Sequence, residues 1–240
     1  KPKKIGDSKI LITGSTRGLG FQIAKEVNKH KPILIIHGKT EKNVNKAVEK
    51  LKKSNENVFG FVVDFSEKNA AEKLYNLVND KVGVIDVLIN NAFMAKGSQF
   101  LLNKNSEDWN NEFNVNINSA IMLSQKFAYK MRIRNVTGKI INISSYISKS
   151  KNTMLNSGSQ ILFKNMLEKF TNMFAEELYN DKIAVTTIRI DELLNTNFKN
   201  FLKNTMKVSE ENNKLFGNFF GIDPKDVMPV VNYTLTAPFH

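Results

Sequence analysis

A chain of 240 residues, 41% hydrophobic and 24% charged, is large enough for one well-buried core and has the composition of an ordinary globular fold. Cys is absent, which excludes disulfides and thiolate metal sites and allows the cytoplasm or another reducing compartment. The formal charge of +12 is spread through a Lys- and Asn-rich sequence rather than gathered into a basic arm, which argues against a nucleic-acid partner.

In chain order, short β-rich runs alternate with amphipathic stretches of helical length. Strands are predicted at Ile10–Thr13, Ile33–Ile36, Phe59–Val63, Val87–Ile89, Ile140–Ile143 and Ile183–Ile188, and helices at 17–29, 41–54, 67–79, 106–132 and 157–180. Near-continuous apolar runs suit strands covered on both faces, and their alternation with helices predicts right-handed βαβ units. The reading is a single doubly wound α/β domain over residues 1–240, with no repeat and no linker. No apolar run reaches the roughly 18 residues that span a bilayer, so no membrane partner is expected. Lys1 stands where a Met would open the chain, which leaves room for a targeting segment removed from its front. His30, His37 and His240 have no metal-ligand spacing, read as chance placements, and leave no metal site expected.

Straight after the first strand comes Thr13-Gly14-Ser15-Thr16-Arg17-Gly18-Leu19-Gly20, running into a helix. Glycine lets backbone approach a pyrophosphate closely, and the helix start offers N–H groups and the positive end of a dipole. This turn resembles the Thr-Gly-x-x-x-Gly-x-Gly turn of the short-chain dehydrogenases/reductases. The resemblance continues through Asp64, Asn90-Asn91-Ala92, Asn116, Ser145 and Lys164, in that family's order. It implies a Rossmann-type parallel sheet in the order 3-2-1-4-5-6, with the family's seventh strand missing or truncated in a sequence ending at His240.

The resemblance also implies cofactor contacts from Gly14, Ser15, Thr16, Arg17, Gly18, Leu19 and Gly20, with Asp64 against the adenine and Asn91 and Ala92 beside the adenosine. At the end of the second strand, Lys39 stands where NAD enzymes carry an acidic residue. Together with Arg17 it offers positive charge to a 2′-phosphate, so NADP(H) is preferred to NAD(H). Phe93 occupies the place of a family glycine; its ring would crowd the cleft unless it turns outward.

For catalysis the resemblance implies Ser145 as orienter of the substrate oxygen, Lys164 as the ribose grip and Asn116 as anchor of a water chain. The family's proton donor is a tyrosine four residues before the lysine, its phenol activated by the nearby ammonium. Counting back from Ala175-Glu176-Glu177-Leu178, which resembles a family landmark, places the lysine at 164 and the tyrosine at 160, where this chain has Gln. A longer spacing used by some relatives lands on Ser157, and Tyr146 lies at a strand end without the helical pairing. Gln160 can hydrogen-bond an oxygen but has no proton to give. After the sixth strand, Arg189-Ile190-Asp191-Glu192 replaces the family's Pro-Gly, with Thr196 matching a later cofactor-binding Thr. The expectation is an NADP(H)-binding member with weak or absent hydride transfer to an alcohol or ketone, and the alternative is a non-catalytic dinucleotide-binding or regulatory protein. The aromatics from Phe198 to Phe220 suit either a substrate pocket or core packing, and the long helices suit a homodimer or homotetramer.

Overall fold

The computed structural model describes residues 3–95, 101–149, 158–190 and 223–238. The strands are β1 Lys9–Ile12, β2 Ile33–Gly38, β3 Val58–Val62, β4 Val87–Asn90, β5 Gly138–Ser145 and β6 Ile183–Ile190. Between them run α1 Gly18–Asn28, α2 Glu41–Lys52, α3 Ala70–Val82, α4 Ser106–Phe113, α5 Ser119–Ile133 and α6 Gly158–Glu177, and α7, Met228–Thr236, follows β6.

Among the described residues the strands form one parallel six-stranded sheet in the order β3-β2-β1-β4-β5-β6, as the sequence predicts. Alternate strand residues face opposite layers, and both layers are apolar. Ile10, Ile12, Ile36, Ile89 and Ile141 pack under α1 and α7 with Ile23, Val27, Val231 and Leu235. Leu11, Ile35, Leu88 and Ile140 pack on the other side with Leu74, Val78, Phe127, Met131 and Phe174. Strand β3 departs from the expectation of two covered faces. It lies at the sheet edge, where Gly60 and Val62 are exposed.

Two local features depart from a regular α/β layout. The helix expected over 106–132 is broken by one wide π turn at Asn114–Asn118. Such a turn shifts the side-chain register by inserting an extra residue, and it is frequent at functional sites. At the opposite end of the sheet, Lys139 of β5 is buried, and its ammonium donates to the carbonyls of Thr234, Leu235 and Ala237 at 2.8, 3.0 and 2.6 Å. The first two are among the last carbonyls of α7, which have no intrahelical donors, and the third belongs to the residue that ends the helix. Burial pushes the Lys139 pKa down.

Candidate functional site

The switch point of this sheet lies between β1 and β4, because the chain crosses outward to β2 and β3 and then returns. Ligands of doubly wound sheets sit there, outside the carboxyl ends of the strands. The glycine turn occupies that point. Gly14 and Gly18 adopt φ of 62° and 57°, the left-handed region that suits glycine. A side chain at Gly14 would meet Ala92 Cα at 2.8 Å, and one at Gly20 would meet Asn91 Nδ2 at 2.4 Å.

A hydrogen-bond frame holds the turn. Thr13 Oγ1 accepts from the amides of Asn91 and Ala92, both at 3.0 Å, and Asn91 Nδ2 donates to the carbonyls of Thr13 and Gly14. His37 completes it: Nδ1 accepts from the Gly14 amide at 3.2 Å, while Nε2 faces the Val63 carbonyl at 3.0 Å. That pairing requires the neutral Nε2–H tautomer. Burial pushes the His37 pKa down to about 4, outweighing the opposing effects of the Val63 bond and the Asp64 charge. The histidine is therefore a built part of the turn, and reading it as chance placement was mistaken.

The sequence-assigned turn residues divide by what they have left to offer. The Ser15 amide donates to the His37 carbonyl and its hydroxyl to the Ile12 carbonyl, and the Leu19 side chain lies in the core. Thr16 packs against Gly38, and Arg17 is exposed. No side chain caps the start of α1, so the first-turn amides of Gly18, Leu19 and Gly20 lack intrahelical acceptors. That donor set, at the positive end of an eleven-residue helix beside a turn with no room for a side chain at Gly14 or Gly20, fits a pyrophosphate.

On the β2–β3 side, Lys39 does not stand alone. Its ammonium pairs with Asp64 at 2.6 Å and remains 62% exposed. Burial works to raise the Asp64 pKa, but hydrogen bonds from Lys39 and from the amide and hydroxyl of Ser66 outweigh it and hold the carboxyl low.

The β4–β5 side is arranged differently. Asn116, buried in the π turn, clamps both backbone groups of Met94: its Oδ1 accepts from the amide at 2.7 Å and its Nδ2 donates to the carbonyl at 2.8 Å. Ser145 ends β5, and Gln160 is buried one turn before Lys164 on α6. Lys164 Nζ donates to the Ile143 carbonyl at 2.9 Å, and the Phe93 ring lies over it at 4.2 Å. The ring has thus not simply turned outward. Burial pushes the Lys164 pKa down to about 8, against the pull of the Glu168 charge. Tyr146 begins the 3₁₀ turn after β5 and is 60% exposed.

Two charged clusters beside this end escaped the sequence reading. Glu168, buried one turn beyond Lys164, accepts from Ser144 Oγ at 2.7 Å, Ser148 Oγ at 2.6 Å and Arg189 at 2.9 Å. Burial would raise its pKa, but these donors prevail, the Arg189 bond foremost, and hold it at about 2. Lys104 and Glu112 form an ion pair at 2.7 Å with both side chains at most 2% exposed, and Ser159 bridges them. A Glu in the middle of a helical apolar face was the available signal for each. Asp191, Glu192, Thr196 and the aromatics from Phe198 to Phe220 lie outside the described residues. No cluster suited to a metal is found among the described residues, and no helix there is long and apolar enough to cross a membrane.

The family profile described as short chain dehydrogenase matches residues 8–207. The chain belongs to the short chain dehydrogenase family. Among its relatives, 3-oxoacyl-acyl-carrier-protein reductase FabG of Buchnera aphidicola is 36% identical over 138 residues, covering 58% of this chain and 55% of that protein. The uncharacterized oxidoreductase YvrD of Bacillus subtilis is 35% identical over 136 residues, covering 57% and 50%. The chain thus spans about half the length of these two relatives. Among solved structures, a variant of actinorhodin polyketide ketoreductase with NADPH superposes with a TM-score of 0.84 at 20% identity, over 98% of this chain and 92% of that one. A closed serine dehydrogenase with NADP+ gives 0.81 at 23% identity, over 96% and 90%. At such identities these two structures speak for the shared fold of this short chain dehydrogenase.

Proposed function

We propose that this short chain dehydrogenase binds NADP(H) along the carboxyl edge of its sheet and moves hydride to or from an alcohol or ketone weakly or not at all. The observation that carries the reading is the pairing on α6: Lys164 with a buried amide, Gln160, one turn before it, where the family places its phenol. A bound nicotinamide would supply the hydride. Ser145 would hold the substrate oxygen, and Asn116 would fix the backbone that faces it. Proton transfer by a positioned group typically contributes ~10²–10⁴-fold, and Gln160 removes that share.

Support for the nucleotide comes from the uncapped start of α1, and support for the 2′-phosphate from the exposed ammonium of Lys39 and from Arg17. The NADPH and NADP+ in the two similar structures agree with this preference. A non-catalytic, dinucleotide-sensing role is favoured by the contacts that already engage Lys164 and Glu168. Self-association is proposed through α5 and α6, whose outer faces form a groove lined by Ile121, Met166, Phe170 and Met173. Light scattering of the purified chain tests that assembly.

The decisive experiment titrates NADPH by calorimetry and follows its oxidation over a panel of ketones, in the wild type and in Gln160→Tyr. Binding without turnover is expected for the wild type, and a gain of about 10²-fold or more in the variant. Wild-type rates matching those of the variant would remove the role given to Gln160.

A further inference from the structure

Phe93 stands between the phosphate turn and Lys164, and both of its neighbours are fixed. The Ala92 amide donates to Thr13 Oγ1 at 3.0 Å, and Met94 is held through both backbone groups by Asn116. Ala92 itself packs against Gly14, within reach of any Cβ there. The backbone at 93 therefore has little freedom, and only side-chain rotation can move the ring.

That ring covers one face of the Lys164 ammonium at 4.2 Å, while the ammonium donates a hydrogen bond to the Ile143 carbonyl at 2.9 Å. A partly desolvated cation over an aromatic face is an attractive pair, worth enough to hold a rotamer. A dinucleotide on a doubly wound sheet lies across the switch point, with adenosine towards β2 and β3 and its second nucleoside towards β4 and β5. Phe93 and Lys164 lie on the second side. The Lys39–Asp64 pair and the turn lie on the first and on the axis.

From this juxtaposition we infer that the cleft draws its affinity for NADP(H) from the adenosine-diphosphate half, because Phe93 lies over Lys164 where the second ribose would be held, so that the second nucleoside enters without tightening the complex. The inference rests on the nucleotide-binding reading above and narrows its ligand chemistry to a nucleoside diphosphate with a 2′-phosphate. The second nucleoside adds affinity only when the ring is removed. Phe93 is 39% exposed and does not sit in the left-handed region, so alanine fits there without strain.

Calorimetric titration of NADPH and of 2′-phosphoadenosine 5′-diphosphate into the wild type, Phe93→Ala and Phe93→Ala/Lys164→Met tests this. In the wild type the two dissociation constants are expected to agree within about threefold. In Phe93→Ala, NADPH should tighten about tenfold, the scale of one hydrogen bond from a charged donor, while 2′-phosphoadenosine 5′-diphosphate stays unchanged. Adding Lys164→Met should erase the gain. NADPH binding the wild type far more tightly than 2′-phosphoadenosine 5′-diphosphate would overturn the inference without any variant. So would a Phe93→Ala protein in which NADPH weakens, the result expected if the ring stacks on the nicotinamide. If neither ligand binds the wild type or Phe93→Ala, the nucleotide reading itself falls, and this inference with it.

Discussion

The two ends of the cleft are built on opposite principles. At the glycine turn, the side chains of Thr13, His37 and Asn91 are spent on holding backbone, and the first-turn amides of α1 are left to face outward. At the β4–β5 end, charged side chains find partners inside the protein: Lys164 with Phe93 and Ile143, Glu168 with Arg189, and Lys104 with Glu112. A preorganised donor set costs little to use, because nothing needs to be broken when a ligand arrives. A set of satisfied charges must first lose its contacts. On the proposed reading, the amides of the first end can take a phosphate without losing a partner, while the charges of the second must give up contacts to meet a ligand.

The sharpest way to break this contrast is at the buried ion pair. Glu112→Ala leaves the Lys104 ammonium, 2% exposed, without its carboxylate, and about 3–5 kcal/mol of stability should be lost in urea unfolding. Acid then separates the two ends. His37 has its folded pKa at about 4, below the ordinary 6.5, so the unfolded chain binds the extra proton between those values. Stability therefore falls as pH drops from 6.5 towards 4, by about 3 kcal/mol in all. Glu168, held at about 2, loses its contribution only as pH falls from the ordinary 4.5 towards 2. Amide exchange should show the glycine turn loosening first, and simultaneous loosening of both ends would contradict the contrast.

Smaller effects sharpen it further. Gly14→Ala should cost about 2 kcal/mol from its positive φ alone, and the clash with Ala92 should abolish nucleotide binding in the same calorimetric assay. Lys39→Ala breaks an exposed pair and should shift stability by less than about 1 kcal/mol, while the preference for NADPH over NADH falls severalfold. An unchanged preference would remove Lys39 from 2′-phosphate recognition.

The parallel sheet was legible because apolar runs such as Ile33–Ile36 and Ile140–Ile143 are separated by helices, and its order because the glycine turn and the residues that follow it resemble the short-chain dehydrogenases/reductases. The turn was legible for a similar reason, since Gly14 and Gly20 sit where no other residue fits. Partnerships were harder to see. The pairing of Lys39 with Asp64 depends on two strand ends 25 positions apart meeting at 2.6 Å, and no local pattern encodes that distance. The same holds for Lys104 with Glu112, whose burial is set by the packing of α4 against α6. Helix α7 was missed although Met228, Val231 and Leu235 have helical spacing and Pro229 suits a first turn, because the run is only nine residues long. The start of α3 was misplaced by three residues, since Asn69 adopts a left-handed conformation just before it.

Lys139 ties the order of synthesis to the order of assembly. Its three acceptors lie 95 to 98 positions later in the chain, so during translation the strand that ends in Ser145 carries an ammonium with no α7 to receive it until residues 234–237 have been made. A ribosome-held fragment ending before Thr234 can close the β1–β4 half of the sheet. In such a fragment the Lys139 end of the fifth strand stays hydrated until α7 is made.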